Sequence, residues 1–175
     1  MAGWPDFDPR ELLRRLTTRG VDFVLVGGFA AVAHGSPRLT QDLDLTYATV
    51  EANLEALGEV LVGLDARLRG VNEEVPFKPD VKTLRRTELL TLETSAGPLD
   101  LLARPSGAPP YSTLRRRAER LDLGGFLVLV ASIEDLLAMK QASGRPKDLG
   151  DIEELQAIRR RRLAAKGRRA AGSSL

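Results

Sequence analysis

The run from Val21 to Leu45 constrains this chain more than any other stretch. An apolar segment, Phe23–Val26, leads straight into Gly27-Gly28, which opens a short small-residue helix, Phe29–His34. A Gly35-Ser36-Pro37 turn follows, and then a second apolar segment up to Tyr47 carries two acids at its start, Asp42 and Asp44. Side chains alternate along a strand, so the two acids project from one face, about 7 Å apart. Carboxylates that close repel each other unless a proton or a cation lies between them. A hard divalent cation, magnesium or manganese, suits the place, because such ions take carboxylate oxygens, water and substrate phosphate. The glycine pair lets the backbone approach a ligand, and the helix behind it offers unpaired N–H groups to an anion. The stretch reads as a metal-assisted nucleotide site.

The order strand, Gly27-Gly28, helix, Gly35-Ser36-x-Arg38-x-Thr40-x-Asp42-x-Asp44 resembles the signature of the polymerase-β-type nucleotidyltransferase superfamily. Within it the chain is most similar to the small AbiEii/MenT-like nucleotidyltransferases, many of which are toxins of bacterial toxin–antitoxin pairs. The resemblance runs from Val21 to Leu155. It implies an α+β fold, a small mixed sheet with helices packed on it, followed by a C-terminal helical part. It also implies a third metal-site carboxylate on a later strand, where Asp100 stands in Leu99-Asp100-Leu101-Leu102. A charge among apolar neighbours is costly unless it is paired or metal-bound, which agrees with that place. The plain alternative for Asp100 is an acid facing water at a hairpin edge.

A second cluster, Ala138-Met139-Lys140-x4-Arg145-Pro146-Lys147-Asp148-x2-Asp151, resembles the C-terminal motif of the same group. The resemblance gives Lys140 the triphosphate and the leaving pyrophosphate, a point-charge role suited to an ammonium. Asp148, and secondarily Asp151, would orient Lys140 or the groups that contact the base. It thus implies Asp42, Asp44, Lys140 and Asp148 as catalytic, and Asp42, Asp44 and Asp100 as ligands of magnesium or manganese. Gly27, Gly28, Ser36, Arg38, Lys140 and Asp151 are implied as nucleotide contacts. The competing reading is structural: acids in a first helical turn suit the dipole, and a lysine can lay its stem along apolar surface. One departure stands out. Many relatives carry Gly-Ser after the first strand, whereas Gly27-Gly28 leaves backbone N–H groups, with Ser36, to meet the triphosphate. The resemblance further implies a phosphorylation switch at Thr40, since a phosphate beside Asp42 and Asp44 would repel the substrate.

Composition narrows the chemistry. The 175 residues contain no cysteine and one histidine, so disulfides, thiol chemistry, zinc sites and Ser-His-Asp triads are set aside in favour of carboxylates, lysine and backbone. No apolar run approaches a membrane span, no secretory leader is visible, and the absence of cysteine fits a cytoplasmic protein. Net charge is +2 but uneven: seven basic residues and no acids lie from Arg159 onward. Without those seven, 19 basic residues face 24 acids. Such a tail engages nucleic-acid phosphates or is simply a solvated helix end.

Taken in order, Asp8-Pro9-Arg10-Glu11 starts a helix with Asp8 as N-cap and Glu11 as reciprocal cap, and Gly20 closes it. Val50–Leu64 is helical, 66–80 is broken by Gly70, Pro76 and Pro79, and Leu89–Thr94 with Leu99–Leu102 forms a hairpin. Tyr111–Leu121 reads as a helix bearing Arg115, Arg116 and Arg117, and Phe126–Val130 as a strand. Ser132 caps the next helix, and Arg145–Asp148 opens the last. The expected organisation is a nucleotidyltransferase core over 1–130, a helical segment over 131–166 that completes the site, and a disordered basic tail over 167–175. The expected activity is metal-dependent transfer of NMP from an NTP to an acceptor. Family context points to a tRNA 3′ end, with Arg115, Arg116, Arg117, Arg159 and Arg160 on RNA phosphates, and to a toxin neutralised by a cognate antitoxin protein or kinase. The alternatives are transfer to a small molecule or protein side chain, and a silent nucleotide- or protein-binding module.

Overall fold

The computed structural model describes residues 6–71 and 75–172. Helix α1, Pro9–Thr18, starts where Asp8 accepts from the Glu11 N–H, with proline at a position that needs no donor. Leu12, Leu13 and Leu16 are its buried face. The reciprocal cap does not form. The Glu11 carboxylate is held by Arg14 and Arg15 at 2.6 and 2.7 Å, because charge-assisted bonds outcompete a backbone N–H. The Asp8 N–H donates to the Ala96 carbonyl instead.

Strand β1, Phe23–Val26, pairs antiparallel with β2, Leu43–Tyr47, placing Val26 opposite Asp44. Between them helix α2, Gly27–Ala33, takes in both glycines rather than beginning after them. Helix α3, Glu51–Gly63, buries Leu54, Leu57 and Leu61. The stretch that resisted reading contains β3, Arg67–Leu68, and ends at the Asp80 cap of helix α4, Val81–Arg86. Strands β4, Leu89–Thr94, and β5, Gly97–Leu102, form the expected hairpin in register from Thr94–Gly97 to Leu89–Leu102.

Helix α5, Tyr111–Arg117, is shorter than expected. Glu119–Leu121, expected in that helix, instead belong to strand β6, Glu119–Asp122, antiparallel to β7, Leu127–Val130, across the Gly124-Gly125 turn. Its alternating exposure is that of an edge strand with one face inward. Helix α6, Ile133–Ser143, is capped by the Ser132 hydroxyl and ended by Gly144 at φ 60°. Helix α7 spans Asp148–Gly172, passing Lys166, where a disordered tail was expected to begin. Alanine, lysine and arginine favour helix there, and 173–175 lie outside the described residues.

The seven strands form one mixed sheet in the order β3-β4-β5-β2-β1-β7-β6. Two parallel pairings, β2–β5 and β1–β7, join its hairpins. Leu43, Leu45, Leu99 and Leu101 turn to one face and are fully buried in the core. Period-two alternation then sends Asp44 and Asp100, paired in the β2–β5 register, to the other face. Helix α7 is fastened across the fold by Arg162, which bridges Glu119 at 3.0 Å and donates to His34 Nδ1 at 3.0 Å. The buried His34 in turn donates from Nε2 to the Ala131 carbonyl, so it is a packing residue. Among the described residues no helix is long and apolar enough to cross a membrane.

Candidate active site

A cleft of ≈ 760 Å³ opens between the polar face of the sheet and helices α6 and α7. Asp42 at the head of β2, Asp44 within it and Asp100 in β5 each bring a carboxylate oxygen to within 4.8 Å of the others. The expected triad therefore assembles, from strands neighbouring in the sheet though distant in sequence. Burial, reinforced by Asp42 and Asp100, pushes the Asp44 carboxyl up to about 7, against the opposing pull of Lys140 and the Gly28 N–H. Burial also raises Asp100, while Arg69, 2.6 Å away, works against it. Thr40 donates to Asp42 at 3.0 Å and fixes its orientation. Three hard oxygen donors gathered against their own repulsion fit a divalent cation.

Gly27 is required at its position on two counts. It adopts φ 66°, and a Cβ there would collide with the Asp44 carboxylate. The Gly28 N–H lies near that carboxylate and favours its charged form.

The opposite wall is built by pairing. Lys140 Nζ lies 3.0 Å from Asp148 and 2.7 Å from Asp151. Asp148 is 1% exposed and also accepts from Arg145 at 2.8 Å and from the Ser143 hydroxyl. Burial alone would raise its carboxyl, but the bonds from Ser143, Arg145 and Lys140 outweigh it and hold the group well below the usual carboxylate range. Asp151 takes Arg38 as a second partner, which ties the loop before Asp42 across to α7. Ser36 lines the cleft but is buried, its oxygen facing the Arg38 N–H.

The metal and nucleotide residues expected from the sequence thus share one cleft. The arginines expected on RNA do not line it. Arg115 is held by Asp22 at 2.8 Å beside Tyr111, Arg117 faces Asp135, Arg116 and Arg160 are exposed and Arg159 half-buried, all outside the cleft lining. Sequence reasoning missed Arg69, which follows a two-residue strand in the unreadable stretch and carries no motif. It also left Arg145 without a role, although the residue stands inside the C-terminal cluster.

None of the curated proteins matches the chain. Among solved structures, the crystal structure of ANT(2'')-Ia in complex with adenylyl-2''-tobramycin is similar at 17% identity and a TM-score of 0.55, covering 91% of this chain and 95% of that one. The solution structure of the antibiotic-resistance factor ANT(2'')-Ia is similar at 18% identity and a TM-score of 0.52, covering 95% and 93%. These likenesses bear out the polymerase-β-type nucleotidyltransferase fold. The family model described as nucleotidyl transferase AbiEii toxin, Type IV TA system, matches residues 11–169. With nearly the whole chain inside that match, and with the acids and lysine of its motifs facing one cleft, this protein belongs to the AbiEii nucleotidyltransferase toxin family.

Proposed function

We propose that this nucleotidyltransferase moves a nucleoside monophosphate from an NTP to a tRNA 3′ end, releasing pyrophosphate, and so blocks translation in the cytoplasm. The observation that carries the proposal is the opposition of three mutually repelling carboxylates to a lysine across one cleft. Asp42, Asp44 and Asp100 would hold magnesium or manganese. A divalent ion held there would supply Lewis-acid polarisation of the triphosphate and a more acidic attacking hydroxyl. Lys140 presents its ammonium to the phosphates and to the charge growing on pyrophosphate. Asp148 is buried behind it with both oxygens engaged, so it acts as a positioning residue, and Asp151 sets Arg38 and Lys140 relative to each other. Family membership supplies the antitoxin partner, which in this reading is a cognate protein or kinase. Thr40, 3.0 Å from Asp42, is the hydroxyl such a kinase would modify, and a phosphate there would repel both the acids and the substrate. Active protein carrying Thr40→Asp would count against that switch.

A small-molecule acceptor is the second reading, favoured by the fold shared with ANT(2'')-Ia, whose crystal structure holds adenylyl-2''-tobramycin. One experiment separates the two. The protein is incubated with magnesium and each labelled NTP in turn, with total tRNA or with an aminoglycoside. A labelled tRNA band that vanishes with Asp44→Asn supports the proposal. Label on the aminoglycoside alone replaces it with the second reading, and no transfer to either acceptor rejects both.

A further inference from the structure

We infer that the projecting end of α7 is a docking surface for the phosphate backbone of a long RNA whose reacting end lies in the cleft. The inference rests on the acceptor proposed above. Helix α7 begins at the cleft with Asp148 and Asp151, passes through the core at Leu155 and Ile158, and is last fastened to the body at Arg162. From Leu163 to Ala170 every residue is exposed, so this part of the helix leaves the body without a packed face. Burial therefore does not maintain it, and Gly167 in its interior weakens it further.

Its chemistry selects the occupant. The last acid in the chain is Glu154, and the free end carries Lys166, Arg168 and Arg169. Among the described residues, Arg162 is the sole basic side chain from Arg159 onward that is bridged to an acid. Leu163 is the one large apolar side chain exposed there, too little for the apolar centre a protein partner would need. Unneutralised cations on a regular scaffold instead suit a polyanion, from which they displace counterions.

Distance selects its length. At 1.5 Å per residue, Lys166 lies about 22 Å along the helix axis from Asp151, and Arg169 about 27 Å. A small-molecule acceptor in the cleft cannot span that separation, and neither can a mono- or dinucleotide. A structured RNA with its 3′ end at Lys140 and its backbone running beside α7 can. The helix then does two jobs: its first turn positions the catalytic lysine, and its last turns meet the part of the acceptor that is not reacting.

The test is fluorescence-monitored binding of labelled total tRNA to the full chain as a function of salt. It compares wild type with the triple variant Lys166→Gln, Arg168→Gln, Arg169→Gln, and circular dichroism checks that both are folded. Docking predicts that the triple variant binds tRNA several-fold more weakly and that its log–log salt slope is shallower by about 1 to 3, near one unit for each lost phosphate contact. It also predicts equal binding of a single strand too short to reach α7. An unchanged affinity and slope for tRNA overturns the docking inference and leaves the tRNA acceptor standing. Failure of wild type to bind tRNA at all overturns both. Equal loss on the short strand assigns the cations to a diffuse field rather than a docking site, and loss of binding to a co-expressed acidic protein with tRNA binding intact assigns the surface to a protein partner. Either result also overturns the inference.

Discussion

The two walls of the cleft use the same residue in opposite ways. On the sheet, Asp42, Asp44 and Asp100 are drawn together; among the described residues Arg69 alone forms an ion pair with one of them, Asp100, and the Asp44 carboxyl is pushed up to about 7. On the helices, Asp148 and Asp151 are met by Lys140, Arg145 and Arg38, and Asp148 is held low. Burial by itself raises both the Asp44 and the Asp148 carboxyl, so burial does not account for the difference. What differs is whether the protein supplies the counter-charge. The helical wall is complete in itself and reads as a device for aiming Lys140. The sheet wall is incomplete in itself, a cost to folding that makes sense if its counter-charge arrives with the substrate.

Changing one acid from each wall sharpens this contrast. Asp44→Asn is expected to lower nucleotidyl transfer by more than ~100-fold, beyond the loss typical of outer-shell partners of a metal. In divalent-free buffer it should also raise the melting temperature, because it removes like-charge repulsion. Calorimetry beside a transfer assay checks both, and a lower melting temperature would mean that the carboxylate is structural. Asp148→Asn should do the reverse, destabilising the fold by about 3 kcal/mol, the low end for breaking a buried ion pair. Its transfer loss should be nearer ~10-fold, from a misaimed Lys140.

The pH dependence tests the same pairing. A carboxyl whose folded value is depressed contributes stability above its unfolded value, and that stability is lost as pH falls toward the folded value. For Asp148 the ordinary value is 3.8. The stability gap between wild type and Asp148→Asn should therefore be full above about pH 4 and shrink below it, as read by urea titrations along a pH series. The smallest effect is expected from Arg69→Gln. Removing the cation that competes for Asp100 should tighten divalent binding by up to ~5-fold, the equivalent of about 1 kcal/mol.

Much of this was legible in sequence where a local rule acts alone. Asp42 and Asp44 share a face because strands alternate, and Ser132 caps α6 because its hydroxyl reaches the Asp135 N–H. Asp100 was placed by resemblance, since the parallel β2–β5 register that sets it beside Asp44 is a tertiary fact. Glu119–Leu121, most of strand β6, was read as the end of a helix, and only pairing with β7 makes it a strand. Helix α4 is too short for periodicity to show. Gly27 was read as letting the backbone approach a ligand, and its lack of a side chain also admits the Asp44 carboxylate. Arg69 could not be found at all, because its partner lies across the sheet and nothing local marks it.

The central claim is that the sheet wall is completed by a divalent ion held jointly by three acids. Its most direct test is electron paramagnetic resonance titration of manganese into the full chain, beside Asp42→Asn, Asp44→Asn, Asp100→Asn and Lys140→Met. The account predicts saturable binding that each asparagine weakens by more than ~10-fold and that Lys140→Met leaves in place. Binding that is indifferent to all three acids, or absent from wild type, would contradict it.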